Sequence, residues 1–73
     1  VHPQDTDTTA ATIGRSIRDM RKSYRLTQTQ LGDLVGLSDK TVRDIERGTG
    51  SPSLKAVLST LSALGLRLEV RDS

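Results

Sequence analysis

The chain has no cysteine, tryptophan or phenylalanine, and only one tyrosine, one methionine and one histidine in 73 residues. Without cysteine there are no disulfides and no thiolate metal sites. A domain this short buries only about 60% of the surface its unfolded chain exposes. With no covalent or metal staple, the remaining stabilising device is a partner subunit. One aromatic residue means that the core is built from Leu, Ile, Val and Ala. His2 stands alone in a polar stretch, where solvation rather than ligation is expected, so neither a metal nor another cofactor is implied. No apolar run is long enough to span a bilayer and no segment reads as an export signal, which points to a cytoplasmic protein. There is no paired acid and base in a plausible cleft and no phosphate-binding glycine loop. An enzyme is therefore not expected.

What is present is an uneven charge distribution and a clear helical pattern. The net charge is only +2, but residues 15 to 25 hold four arginines and one lysine against a single acid, Asp19. Residues 1–11 read as a flexible N-terminal arm. A first helix is expected from about Thr12 to Ser23, with Thr12, Thr8 or Thr9 as its N-cap. Ile13, Ile17, Met20 and Tyr24 form its apolar stripe. Thr27 followed by Gln30 is a capping-box pattern that opens a second helix. Leu31, Leu34 and Val35 make its buried face and Gly36 its stop. Ser38 caps a third helix, with Asp39 in its first turn, Val42 and Ile45 inward and Gly48 at its end. Ser53 caps a fourth, with the stripe Leu54, Val57, Leu58, Leu61 and Leu64, closed by Gly65. Residues 12–65 thus form one helical domain.

The ending, residues 66–73, changes period. Leu66, Leu68 and Val70 alternate with Arg67, Glu69 and Arg71, which reads as a strand. A lone strand leaves its backbone groups unpaired. The simplest remedy is an antiparallel pairing of Leu66, Leu68 and Val70 with the same strand of a second copy across a two-fold axis. The alternative is a frayed continuation of the fourth helix.

The span from Gln28 to Arg47 carries the main argument. Two short helices are joined through Gly36, Leu37 and Ser38. Close packing at their crossing needs a small residue, supplied by Gly32. Leu31, Val35, Leu37, Val42 and Ile45 lock one helix on the other. The segment LTQTQLGDLVGLSDKTVRDIERG resembles the phage Cro and cI repressor type of helix-turn-helix, the xenobiotic-response-element family. The resemblance runs from about Ile13 to Val70. It implies an all-α, four- to five-helix Cro/cI-repressor-like domain, here with a short C-terminal strand pairing across a dimer. The ending LSTLSALGLRLEV is similar to that of HipB-like antitoxins, which bind palindromic operators, autoregulate a toxin–antitoxin operon and hold a HipA-type kinase toxin. The family often has glycine where this chain has Arg25, and usually alanine where it has Gly32.

The resemblance implies a transcriptional repressor of duplex DNA, acting as a homodimer on an inverted repeat in the bacterial cytosol or nucleoid. In such motifs the N-terminal residues of the second helix of the pair meet base edges in the major groove. Here those are Ser38, Asp39, Lys40, Thr41 and Arg43. Arg43 suits guanine O6 and N7, Asp39 a cytosine amine and Thr41 a thymine methyl group. Ser38 and Asp39 serve equally as caps. Asp44 matches a base-reading position in some phage repressors, or is solvated, or pairs with Lys40 or Arg47. Phosphate contacts are expected from Lys22, Arg25, Thr27, Gln28, Arg47, Thr49 and Ser51. The resemblance also implies a structural salt bridge between Arg21 and Glu46. Arg15 and Arg18 read as solvated surface or as a contact for an acidic protein. Two alternatives to the antitoxin reading remain open. One is a protein-interaction module that neutralises a kinase-type toxin. The other is a phage-type or metabolic repressor without a toxin partner.

Overall fold

The computed structural model describes residues 3–72. It contains four helices: α1 (Pro3–Ser23), α2 (Gln28–Val35), α3 (Asp39–Arg47) and α4 (Leu54–Ala63). The expectation for His2 falls outside the described residues. No strand occurs among the described residues, and Leu66 to Val70 carry no ladder.

Helix α1 begins at Pro3, well before the expected Thr12. Proline is suited to a first helical position because its missing N–H would be unpaired there anyway. Thr12 does not cap a helix; its hydroxyl donates to the Thr8 carbonyl at 2.9 Å, within α1. The last of these earlier turns packs on the end of α3. A Cβ placed on Gly48, at the end of α3, would lie 2.6 Å from the Ala11 backbone. Chain expected to be an arm, from Pro3 to Ala11, is therefore helix, and its Ala11 end lies against α3.

The caps follow the sequence. Thr27 and Gln30 form the full capping box of α2, and the Ser38 and Ser53 hydroxyls accept from the third amide of α3 and α4. The helix ends share a second device. Leu26, Leu37, Thr49 and Leu66 donate their amides back five residues, to the carbonyls of Arg21, Gly32, Asp44 and Leu61. This is the six-to-one bond of a Schellman end, which places the preceding residue at positive φ. Three of those residues are Gly36, Gly48 and Gly65; the fourth is Arg25, at φ 58°. An L-residue held there costs about 1 kcal/mol. Arg25→Gly is therefore expected to raise the folding stability by about that amount, read as a higher denaturant midpoint with an unchanged slope.

The core is Ile17, Leu31, Val42, Ile45, Ala56, Leu61 and Leu64. Ile13, Met20, Leu26, Leu37, Val57 and Leu66 pack around it. Four expected core residues are outside: Tyr24, Leu34, Leu54 and Leu58 are all exposed. Tyr24 lies past the end of α1. Helix α4 is turned so that Ala56, Val57, Thr60, Leu61 and Leu64 face inward, which also fits a 3.6-residue period. Thr60 is fully buried, and its hydroxyl donates to the Ala56 carbonyl at 2.8 Å. That bond removes the cost of an unpaired polar group.

Leu66 takes part in the end of α4 rather than standing free with Leu68 and Val70. Its amide closes α4, and its side chain is half-buried against the core. Only Leu68 and Val70 remain exposed.

Candidate nucleic-acid interface

Helix α3 is held by one face and open on the other. Val42 is fully buried and Ile45 nearly so, which fixes the rotation of the helix about its axis. Asp39, Lys40, Arg43 and Arg47 are then exposed, and Thr41 and Asp44 are half-buried. Two glycines set the depth at which α3 is seated. A Cβ on Gly14 would lie 2.3 Å from the Ile45 carbonyl oxygen, and one on Gly32 would lie 2.4 Å from that of Leu37. Both distances are shorter than any van der Waals contact, so α1 and α2 approach α3 and its preceding turn as closely as a bare backbone allows.

The exposed face pairs its own charges. The Lys40 ammonium donates to Asp44 Oδ2 at 2.9 Å, and Arg43 stands 3.9 Å from Asp39 Oδ2. The hydrogen bond from Lys40 holds the Asp44 carboxyl below its ordinary pKa; partial desolvation opposes this, and the charges of Lys40, Arg47 and Arg43 support it. Exposed pairs one helical turn apart contribute little to stability, because water and salt screen them. They open readily when a better partner arrives. Ser38 Oγ accepts from the Thr41 amide at 3.1 Å and lies 3.0 Å from Thr41 Oγ1. Both hydroxyls are already engaged at the helix start.

Arg21 and Glu46 form a two-pronged ion pair, Nε to Oε2 at 2.7 Å and Nη2 to Oε1 at 3.0 Å. The remaining terminal nitrogen of Arg21 donates to the Leu26 carbonyl at 2.7 Å. Gln28 Nε2 also donates to Glu46 Oε1, at 3.2 Å. One buried pair thus ties the end of α1, the turn after it, the start of α2 and the last turn of α3. From the sequence Gln28 reads only as a phosphate contact; its tie to Glu46 comes from the packing of α2 on α3 and has no local signal.

The start of α2 keeps two amides for a ligand. The Thr27 amide donates to Gln30 Oε1 and the Gln30 amide to Thr27 Oγ1, while the Leu31 amide donates to the Thr27 carbonyl. Of the first-turn donors, those of Gln28 and Thr29 have no helical partner. Thr49 is more committed. Its amide and hydroxyl both donate to the Asp44 carbonyl, and its Oγ1 is 3.0 Å from Ser51 Oγ. Thr49 and Ser51 shape the loop after α3. Lys22 and Arg25 are exposed at the end of α1. Arg18, Arg21, Gln28, Arg43, Glu46 and Arg47 line a cleft of about 420 Å³ between the three helices. Arg18 was not expected there, although it precedes Arg21 by three residues and so shares its side of α1.

A helix-turn-helix family model matches residues 17–70, which include α2, the turn and α3. The chain belongs to the helix-turn-helix family. The helix-turn-helix family of this Cro/cI kind comprises transcription regulators, not enzymes. Among its relatives is the immunity repressor protein of Bacillus phage phi105, 39% identical over 78% of this chain. This chain spans 40% of that relative's length. An uncharacterised HTH-type transcriptional regulator of Bacillus subtilis is 32% identical over 73% of this chain and 80% of its own length. One from Methanothermobacter thermautotrophicus is 41% identical over 67% of this chain and 71% of its own. Among the described residues, no helix of this helix-turn-helix domain is long and apolar enough to cross a membrane.

Proposed function

We propose that this chain is a sequence-specific DNA-binding repressor whose α3 enters the major groove. The observation that carries the reading is the posture of α3. Its apolar side is locked by Val42 and Ile45, and its cationic side, Lys40 and Arg43, faces outward and unobstructed. Arg43 and Lys40 read bases, with Asp39, Thr41 and Ser38 beside them. Gln28, Thr27, Arg47, Lys22, Arg25 and the loop hydroxyls of Thr49 and Ser51 hold the phosphates. The phage immunity repressor among the relatives supports a repressor role.

Two copies bind an inverted repeat with half-sites about 34–36 Å apart, or a multiple of it. Leu68 and Val70 form the contact between copies, and Leu66, half-buried against the core, leads the chain into it. The exposure of Leu68 and Val70 supports this, since two apolar side chains left in water gain from a partner. The narrower antitoxin role rests on the C-terminal resemblance alone. Co-purification with a HipA-like kinase is its test, and a repressor without a toxin is the simpler reading beside phage relatives.

Binding is tested by fluorescence anisotropy on a duplex selected from a random pool. Log affinity should fall linearly with log salt, by about 0.9 for each phosphate neutralised. A flat response would overturn the reading. Arg43→Ala is expected to lose about 1–3 kcal/mol on the selected site and to relax preference at one base pair. Uniform loss across all sequences would instead make Arg43 a phosphate contact.

A further inference from the structure

We propose that Arg18 is a DNA-backbone contact, and that with Arg47 it grips a phosphate in the cleft between α1 and α3. This rests on the DNA-binding reading above and assigns that interface a residue from a helix outside the two of the motif. The sequence alone leaves Arg18 as solvated surface or as a contact for an acidic protein. The fold instead brings it to the same cleft as Arg43 and Arg47.

The charge balance of that cleft points to an anion. Glu46 is its one acidic lining residue. Both Glu46 oxygens are used: Oε2 accepts from Arg21, and Oε1 accepts from Arg21 and Gln28. Arg21 and Glu46 cancel. Arg18, Arg43 and Arg47 remain, a surplus of three positive charges. Arg43 has a long contact to Asp39. The side chains of Arg18 and Arg47 make no ion pair or hydrogen bond among the described residues, and the acid whose charge acts with Arg47 is Asp44, which Lys40 already engages.

Three guanidinium groups gathered on one opening repel each other, and an incoming phosphate relieves that repulsion. Guanidinium forks also match phosphate oxygens in geometry, two bonds at a time. The cleft opens beside Arg43, the proposed base reader. A phosphodiester bound there is the backbone next to the base that Arg43 meets. The clamp therefore fixes how far α3 slides along the groove, since Arg18 belongs to a helix that the Arg21–Glu46 pair already ties to α3.

The test compares the full chain with Arg18→Ala, Arg18→Lys and, as a control, Arg15→Ala, whose side chain is exposed and outside the cleft. Each is titrated on its selected duplex and on an unrelated duplex across a salt series. Arg18→Ala should weaken both duplexes alike, by about fourfold for each protomer bound at 0.2 M salt, and reduce the salt slope by about 0.9 for each protomer bound. Arg18→Lys should keep the slope, because it keeps the charge, and Arg15→Ala should match the parent chain. An Arg18→Ala slope equal to the parent's overturns the assignment while leaving the DNA-binding reading intact. If the parent chain shows no salt-dependent binding to any duplex, both fall. Equal thermal midpoints for parent and Arg18→Ala establish that the change is in binding and not in folding.

Discussion

Glu46→Ala is expected to cost about 3–5 kcal/mol of folding stability, because it leaves the buried Arg21 guanidinium without its counter-charge. Side-chain exposure at the pair is only 10% for Arg21 and 4% for Glu46. Total stability of domains starts near 5 kcal/mol, and a chain of this size sits toward that end. The variant should be largely unfolded at 37 °C, seen as loss of cooperative unfolding by circular dichroism. Replacing both partners by apolar groups, Arg21→Met with Glu46→Leu, should recover most of the loss, since no charge is then stranded. If Glu46→Ala unfolded at the parent's midpoint, the pair would be a surface contact and the tie between α1 and α3 would lie elsewhere. Loss of DNA binding in either single variant says nothing about a phosphate contact until folding has been measured.

Gly14→Ala is expected to cost about 3 kcal/mol, the upper part of the range for overpacking. The added methyl group would stand 2.3 Å from the Ile45 carbonyl and 2.6 Å from that of Glu46, both backbone atoms. No side-chain rotation relieves this; α1 must move away from α3. That movement pulls Arg21 from Glu46 and tilts α3, the helix proposed to read bases. Denaturant unfolding gives the stability loss. Anisotropy at a temperature where the variant is still folded should show weaker binding to the selected duplex than to an unrelated one, because backbone attraction survives a small tilt better than base contacts do. Exposed Gly50 serves as the contrast: a Cβ there meets nothing within 4 Å. Its strain comes from φ 78° alone.

The frame of the candidate site was legible in the sequence because most of it is local. Thr27 with Gln30, Ser38 before Asp39, and Gly36 and Gly48 at the helix ends each act over a few residues, and the structure uses them so. Spacing on α3 placed Val42 and Ile45 opposite Lys40 and Arg43 without knowledge of what they would pack on. The misreadings share one cause. Leu54 and Leu58 fit a helical stripe as well as Ala56 and Thr60 do, and hydropathy favours the leucines. The same holds at the end of α4, where Leu66 packs on the core while Leu68 and Val70 stay exposed. Periodicity shows that a face exists, but a helix can be turned by one position to suit its neighbours.

The sequence by itself determined that there are four helices, the caps and stops of α2, α3 and α4, and which side of α3 is cationic, because helix termini and faces are set by interactions over four or five residues. Only the tertiary structure decided the length of α1, the rotation of α4 and the gathering of Arg18 with Arg43 and Arg47. Those depend on how closely two backbones can approach. Gly14 against Ile45 and Gly48 against Ala11 govern that distance, and neither pair has a local signal in the chain.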